Sequence, residues 1–202
     1  PTTGKAVLFD CGANSECTPD YLVQCAYLGS FYASRVLGIE KPRVGLLNIG
    51  AEDSKGTELQ RETLRWLREA GEAGHLNFIG NIEAKEAIKG GCDVIVTDGF
   101  SGNVMIKTIE GTAMFMGSVV GKMFRKNLLT KLGALCCKSG IQNMKKLLDY
   151  REIGGTQFLG IRKPVIKAHG SSDALAFRNA VKQAMEAAKG DFTQQLAEDL
   201  AK

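Results

Sequence analysis

The chain alternates short runs of apolar, largely β-branched residues with longer segments in which apolar residues recur every three or four positions. The short runs are typical of buried strands, and the longer period is typical of amphipathic helices. Before residue 100 the pattern predicts strands at 5–9, 43–47, 76–79 and 93–97, separated by helical segments. This alternation predicts an α/β fold with a mostly parallel, doubly wound sheet.

Capping residues mark the starts of several predicted helices. Thr18 followed by Pro19 is a typical start, with Thr18 as the N-cap. A long apolar pattern after Asn103 predicts another helix, and Asp191 is expected to cap a last amphipathic one.

The character of the chain changes after residue 120. Residues 121–148 are basic, apolar and punctuated by glycine, without a strand pattern, and they are expected to form a helical hairpin insertion. Two short strands are expected at 158–161 and 165–167. Ser172 is expected to act first as the N-cap of the alanine-rich helix that follows.

The composition allows a core of ordinary size. With 202 residues and 44% hydrophobic content, residues 1–202 are expected to form a single α/β domain. No apolar run approaches the ~18–20 residues that span a bilayer, and no signal-peptide pattern is present. The net charge of +4 is compatible with an anionic ligand, an acidic protein partner or an anionic membrane surface. The six cysteines contain no Cys-x-x-Cys pair, which disfavours a zinc site and favours reduced cytosolic thiols in the core and turns.

Five short turns share one composition, in which glycine is combined with Asp, Asn, Ser or His. They follow predicted strands, so in a parallel sheet they are expected at the carboxyl edge, where ligands bind. The turns are 10–14, 48–50, 80–81, 98–103 and 169–172.

The turn at 98–103 is the one around which the others are arranged. A strand ends in Asp98, passes through Gly99 and Gly102, and opens into a helix. Such a junction is expected to leave unpaired backbone N–H groups that hold a phosphate or another anion. An Asx hydrogen bond that fixes its own turn is an equal alternative for Asp98.

Several common enzyme motifs are absent from the sequence. No G-x-G-x-x-G follows the first strand, and neither a G-x-x-x-x-G-K-[ST] loop nor a G-x-S-x-G elbow occurs. The predicted edge therefore offers amides, hydroxyls, lysines and His169, a set suited to an anion and an oxyanion. Most lysines are solvated, so that alternative stays open for Lys55 and Lys107.

In chain order, five motifs carry a resemblance: 10–14 (DCGAN), 42–50 with 55–56, 78–83, 93–103 and 167–174 (KAHGSSDA). Together they resemble the phosphate acyltransferases of bacterial phospholipid synthesis, the PlsX family, over almost the whole chain. The resemblance implies a fold similar to isocitrate dehydrogenases and phosphotransacetylases. It also implies transfer of an acyl chain from acyl carrier protein to inorganic phosphate. Because the family's chain is longer, a further N-terminal segment is expected before Pro1, and the turn at 152–157 is looser than the family's.

The site residues expected from these motifs fall into two groups. His169, Asn48, Asn81 and Asn103 are expected to orient the thioester carbonyl, with His169 protonating the departing sulfur. Asp98 and Lys107 complete the predicted catalytic group, and Lys107 is expected to hold phosphate. The residues expected to bind phosphate or other parts of the substrate are Asp10, Gly12, Asn14, Gly50, Lys55, Gly99, Ser101, Gly102, Lys167, Gly170, Ser171 and Ser172. No cofactor, no metal and no nucleic acid are expected.

An amphipathic segment at 122–148 is expected to contact a membrane or a second subunit. Its leucines, flanked by lysines, are Leu128, Leu129, Leu132 and Leu135. Such a stripe can lie in an anionic membrane interface, or pack against a second copy of the chain. The same lysines suit the acidic surface of acyl carrier protein. The resemblance implies both a homodimer and a cytoplasmic enzyme that associates peripherally with the membrane.

Two other functions remain open from the sequence. One is a soluble acyltransferase of the phosphotransacetylase kind that uses acyl-coenzyme A. The other is a non-catalytic module that holds a membrane and a partner. Vesicle binding through the leucine stripe separates the first from the family's reaction, and turnover separates the second.

Overall fold

The computed structural model describes residues 4–147, 151, 153–189 and 194–196. The predicted cap Asp191, residue 152 and the last residue of the 122–148 segment lie outside these ranges. The chain forms two compact units, residues 1–108 and 109–202. Compact units need not be separate domains, so the single domain over 1–202 stays a prediction.

The first unit contains a four-stranded sheet and its covering helices. The elements are β1 (Val7–Phe9), α1 (Pro19–Arg35), β2 (Arg43–Asn48), α2 (Glu58–Glu72), β3 (Asn77–Glu83), α3 (Ala84–Lys89) and β4 (Val94–Val96). They are followed by α4 (Gly99–Phe124), which begins in this unit and continues past residue 108. The strand order is β1-β4-β2-β3, and every neighbouring pair is parallel. The predicted α/β fold with a parallel sheet is confirmed.

The two faces of this sheet carry separate apolar clusters. On β4, Val94 and Val96 pack with residues of α1 and α2, whereas Ile95 packs with Ala87 of α3 and Met105 of α4. Because successive side chains of a strand point to opposite faces, α1 and α2 cover one face, and α3 and the start of α4 cover the other. This two-sided covering is the doubly wound arrangement that the sequence predicts.

Helix α1 begins where its capping residues predict. The Thr18 hydroxyl accepts a hydrogen bond from the Tyr21 amide at 3.3 Å, and Pro19 is the first helical residue. The helix lies close to the sheet, since a Cβ atom on Gly29 would be 2.5 Å from Cγ1 of Val94. Its buried residues are Leu22, Cys25, Ala26, Gly29 and Ala33.

Strand β3 is longer than its sequence pattern predicts. The expected end at residue 79, with a turn at Gly80 and Asn81, is wrong, because the strand continues to Glu83. The register with β2 shifts between Val44 and Leu46, and Gly80 has a φ of +94°. These are the features of a β-bulge, in which glycine accepts a positive φ inside a strand.

Helix α4 begins earlier than predicted. Its first residue is Gly99, so the glycine-rich stretch before Asn103 is the first turn of the helix and not a preceding loop. The Asp98 side chain accepts from the Ser101 amide at 2.8 Å, and the Asp98 carbonyl accepts from the Gly102 amide at 2.9 Å. Asp98 therefore fixes its own turn as an N-cap, as the Asx alternative proposed.

The second unit contains the predicted helical hairpin and a small sheet. Its elements are α5 (Leu128–Cys136), α6 (Lys138–Leu147), β5 (Gly155–Phe158), β6 (Val165–Ala168) and α7 (Ala174–Lys189). Strands β5 and β6 pair antiparallel in a sheet of their own, so the expectation that all five glycine turns follow strands of one parallel sheet is wrong. The first strand lies at 155–158 and not at 158–161.

The cap of α7 also differs from the prediction. The Asp173 carboxylate accepts from the Ala176 amide at 3.0 Å, so Asp173 and not Ser172 caps this helix. Helix α7 holds the preceding segment in place, because Asn179 Nδ2 donates to the Arg151 carbonyl at 2.9 Å. In the described part of the chain, no helix is both long and apolar enough to cross a membrane.

Candidate active site

A pocket opens at the carboxyl edge of the parallel sheet, where β1 and β4 lie side by side. The helices that follow these strands, α1 and α4, pack on opposite faces of the sheet. The connections that leave β1 and β4 therefore run to opposite faces of the sheet and leave a crevice between them. Doubly wound sheets bind ligands in such a crevice. The pocket has a volume of about 250 Å³ and is lined by Gly12, Ser15, Gly99, Phe100, Asn103, Val104 and Lys107.

The loop after β1 is folded around the carboxylate of Asp10. This residue is only 3% exposed. Its oxygens accept the backbone N–H groups of Gly12, Ala13 and Asn14, each at 2.8 Å. They also accept the hydroxyl of Tyr21 at 3.1 Å. Asp10 thus shapes the loop from behind, and its predicted contact with phosphate stays a prediction.

The backbone amides of this edge are already paired. Besides the three that donate to Asp10, the Gly99 amide donates to the Asn14 carbonyl at 2.9 Å. The Ser101 and Gly102 amides donate to Asp98. The expectation of unpaired glycine-turn amides is therefore wrong for these six groups, and an anion in the pocket must be held mainly by side chains.

Glycine is required at this junction because the loop and α4 approach closely. A Cβ atom on Gly99 would lie 2.3 Å from the Asn14 carbonyl oxygen. One on Gly12 would lie 2.6 Å from Nδ2 of Asn103, and Gly12 has a φ of +121°. Gly12 and Gly99 therefore act by leaving room, so that Asn103 reaches the pocket wall.

The polar side chains of the pocket are a hydroxyl, an amide and an ammonium group, from Ser15, Asn103 and Lys107. Lys107 lies exposed, two turns into α4. Together with the positive end of the α4 dipole, these groups form an environment suited to an anion. Ser15 is not among the site residues expected from the motifs, although it directly follows the 10–14 motif.

The thiol of Cys17, which follows the pocket loop, is not activated. Cys17 donates to the Asn14 carbonyl over 3.5 Å, and its burial raises the pKa of the thiol above its ordinary value. A raised pKa lowers the thiolate fraction at neutral pH, which argues against Cys17 as a nucleophile.

A second loop, residues 49–56, is held by the two predicted asparagines. Asn48 accepts from the Ile49 amide at 2.8 Å and donates to the Lys55 carbonyl at 3.2 Å. Asn81 donates to the Glu52 carbonyl at 3.1 Å. The Asn81 side-chain oxygen is buried and has no partner in the part of the chain that the structure describes.

The contacts of these loop residues bear on their predicted roles. The side-chain amides of Asn48 and Asn81 both help to fix the shape of the loop. Gly50 leaves room for the Lys55 side chain, because a Cβ atom on Gly50 would lie 2.9 Å from Cγ of Lys55. Roles of Asn48 and Asn81 toward a thioester, and of Gly50 and Lys55 toward phosphate, stay predictions.

The His169 turn lies in the second unit, directly after β6. The imidazole is exposed, and its Nδ1 lies 2.7 Å from the Ser171 hydroxyl and 3.3 Å from the Ser171 amide nitrogen. Since a backbone N–H only donates, Nδ1 accepts, which assigns the proton to Nε2. The Ser172 hydroxyl is buried with no partner among the described residues.

The surroundings of the side chains in this turn do not decide between catalytic, phosphate-binding and structural roles. Lys167 and Gly170 are exposed. The predicted roles of His169, Lys167, Gly170, Ser171 and Ser172 stay predictions.

The fold and this site define the chain as an α/β protein with a pocket suited to an anion at the switch point of a parallel sheet. The model of one protein family, described as fatty acid synthesis protein, matches residues 1–195. The chain belongs to this family, and the resemblance predicted from its motifs is confirmed.

Curated relatives carry the name phosphate acyltransferase. The chain is 46% identical to that of Anoxybacillus flavithermus over 195 residues, which are 96% of this chain and 58% of the relative. It is 46% identical to that of Brevibacillus brevis over 200 residues, 98% of this chain and 58% of the relative. It is 47% identical to that of Bacillus licheniformis over 180 residues, 89% of this chain and 53% of the relative. The chain therefore spans little more than half the length of these relatives.

Proposed function

We propose that the protein takes part in transferring an acyl group from acyl carrier protein to inorganic phosphate, for glycerophospholipid synthesis. The observation that carries this proposal is a pocket with an anion-binding set of side chains, on a chain 46–47% identical to proteins named phosphate acyltransferase. The acyl donor is the finer part of the proposal, and acyl-coenzyme A is its alternative.

The reaction requires little acid–base catalysis by the protein. A phosphate oxygen attacks the thioester carbonyl carbon, a C–O bond forms, the C–S bond breaks, and the thiolate leaves and takes a proton. Near neutral pH phosphate is already anionic and thiolate is a good leaving group. Catalysis then depends on positioning and on stabilising the negative charge of the tetrahedral intermediate.

The pocket residues fit the phosphate part of this reaction. Lys107 supplies a positive charge, and Ser15 and Asn103 supply neutral hydrogen-bond donors around a volume of about 250 Å³. The paired amides of the surrounding loop keep its shape fixed when the anion enters, so little reorganisation is needed. His169 is the proposed proton donor to sulfur in the complete enzyme.

The test measures phosphate-dependent formation of acyl phosphate from acyl-acyl carrier protein, with acyl-coenzyme A as the competing donor. It compares this chain with a version extended at its N-terminus to the length of the relatives. Acyl phosphate formed from acyl-acyl carrier protein by the extended version supports the proposal. Turnover with acyl-coenzyme A alone favours the phosphotransacetylase-like alternative, and a folded extended protein without turnover favours a binding module.

We further propose that α5 lies against a membrane surface. Its leucines are exposed to 74%, 79%, 53% and 68% at Leu128, Leu129, Leu132 and Leu135. Lys126, Lys131 and Lys138 flank them. An exposed apolar stripe with cationic flanks suits an interface of anionic lipid, and a second copy of the chain is the other outcome that a test distinguishes.

A further inference from the structure

The hydroxyl of Tyr21 reaches the pocket loop from helix α1. It donates to Oδ2 of Asp10 over 3.1 Å, from the first turn of the helix. Burial, with smaller contributions from Cys25 and Asp10, raises the pKa of Tyr21 well above its ordinary value. The hydroxyl is therefore protonated, and available as a donor, over the whole physiological pH range.

The Asp10 carboxylate connects the Tyr21 hydroxyl to the loop. Its Oδ1 accepts the Gly12 and Ala13 amides, and its Oδ2 accepts the Asn14 amide together with the Tyr21 hydroxyl. A hydrogen bond to a charged carboxylate is stronger than one between neutral groups, and these four share one carboxyl group. Without the Tyr21 hydroxyl, Asp10 keeps its three amides, but the carboxylate loses its tie to α1.

The loop in turn borders the groups that face an anion. Gly12 lies against the side-chain amide of Asn103, with 2.6 Å between an added Cβ and Nδ2. The Asn14 carbonyl accepts the amide of Gly99, the first residue of α4. A shift of the loop by a few tenths of an ångström therefore moves both the Asn103 amide and the start of α4, which line the pocket.

We propose that Tyr21 is a positioning residue for phosphate, acting through Asp10 and the 11–14 loop on the Asn103 side of the pocket. This inference rests on the proposed function and deepens it. Among the hydrogen bonds of the described residues, none joins Tyr21 directly to a residue that lines the pocket. Tyr21 therefore acts only by fixing the position of the groups that line it.

The test is the substitution Tyr21→Phe in the extended enzyme, which keeps the ring and removes only the hydroxyl. Loss of one such hydrogen bond is expected to raise KM for phosphate roughly fivefold. KM for the acyl thioester and kcat are expected to change less than about twofold. The proposal assigns Asn103 to phosphate, and the other residues predicted to orient the thioester, Asn48, Asn81 and His169, are not held by this loop. Tyr27→Phe is the matched control, since Tyr27 lies on the same helix and its hydroxyl faces His75 at 3.5 Å.

A second measurement uses phosphate alone and needs no turnover. Phosphate titrations followed by amide chemical shifts are expected to show a roughly fivefold larger dissociation constant for Tyr21→Phe than for the wild type. Hydrogen exchange at Gly12, Ala13 and Asn14 is expected to be faster in Tyr21→Phe than in Tyr27→Phe.

The outcomes separate the two proposals. Failure of the wild-type enzyme to form acyl phosphate removes the proposed function, while the phosphate titration still decides the role of Tyr21. Unchanged phosphate affinity in Tyr21→Phe overturns the positioning role, and so does an equal loss in kcat and in both KM values, which is the mark of general destabilisation.

Discussion

A Cβ atom on Gly102 would lie 1.9 Å from the main-chain carbonyl oxygen of Asp10. Helix α4 and the end of β1 are thus in backbone contact, and no side chain fits between them. Gly102→Ala is expected to lower the free energy of unfolding by about 1–3 kcal/mol, because the helix or the strand must move. Urea denaturation measures this change.

The same helix provides the control for Gly102. Gly111 and Gly117 have nothing within 4 Å of an added Cβ. Alanine at either position is expected to be neutral or stabilising by up to ~1 kcal/mol, as in an exposed helix interior. A Gly102→Ala protein as stable as Gly111→Ala would contradict the close contact.

Lys107 is the cation of the pocket, and its charge has a measurable signature. Lys107→Gln is expected to raise KM for phosphate roughly tenfold, with a smaller effect on the acyl thioester. The wild-type KM is expected to rise with ionic strength and the variant's to respond less, because salt screens the charge that is removed. Steady-state kinetics at two salt concentrations check both points.

An exposed lysine outside the pocket controls for the loss of positive charge. Lys89 pairs with Glu86 at 3.0 Å. Lys89→Gln is expected to leave both KM values within about twofold. An equal effect of the two substitutions would remove Lys107 from the site.

The pair of Arg43 and Asp93 predicts a pH-dependent contribution to stability. The guanidinium donates to both carboxylate oxygens, at 3.0 and 2.9 Å, and holds the pKa of Asp93 below its ordinary value. A lowered folded-state pKa stabilises the protein above the unfolded pKa, and the contribution is lost as pH falls through the folded value. Asp93→Asn is expected to cost about 1 kcal/mol at pH 7, a modest value because Arg43 is 44% exposed.

The difference between wild type and Asp93→Asn is therefore expected to shrink below about pH 4. Urea denaturation at pH 7, 5 and 3.5 follows it. Asp53→Asn is the comparison, since the pair of Asp53 and Arg68 lies on the open surface of α2, and its effect is expected to be smaller at every pH. A difference for Asp93→Asn that is constant with pH would show that packing, and not the charge, is responsible.

The leucine stripe of α5 predicts a loss of vesicle binding on substitution. Replacing Leu132 and Leu135 together by Glu is expected to weaken binding to anionic vesicles at least roughly tenfold, because apolar area is lost and like charge is added. Turnover in the absence of vesicles is expected to stay nearly intact. Cosedimentation with phosphatidylglycerol vesicles measures binding.

A control that adds the same negative charge elsewhere separates the loss of apolar area from the repulsion between glutamate and anionic lipid. Ser139 and Gln142 lie exposed in the neighbouring helix α6, and replacing both by Glu is expected to weaken binding much less. If Leu132→Glu with Leu135→Glu instead converts a dimer to a monomer in sedimentation, the stripe is a contact between two copies of the chain.

The sequence predicts the sheet and most of its helices because their signals are local. The Thr18 cap and the apolar period of α1 are read directly from neighbouring residues. The start of α4 is misplaced because Gly99 and Gly102 have the composition of a turn. Glycine is present there for a tertiary reason, the approach of another segment, which leaves no local pattern.

The site shows the same division between local and tertiary signals. The motif at 10–14 marks the right loop, yet the direction of the Asp10 carboxylate depends on Tyr21, eleven residues later on a helix packed behind it. Ser172 and Asp173 are both good capping residues, so sequence alone does not choose between them. The separate sheet of β5 and β6 depends on pairing direction, which the lengths of short strands do not reveal.

The bulge at Gly80 changes which face of the sheet β3 serves. In a regular strand, Phe78 and Ile82 would point to the same side, because they are four residues apart. Instead Phe78 joins the cluster beneath α1 and α2, and Ile82 joins the one beneath α3. Deleting Gly80 would leave Phe78 and Ile82 three residues apart, and a regular strand places residues at an odd spacing on opposite faces. The bulge therefore lets this strand carry one residue more than regular pairing allows, and a deletion at Gly80 is expected to keep Phe78 and Ile82 in their own clusters.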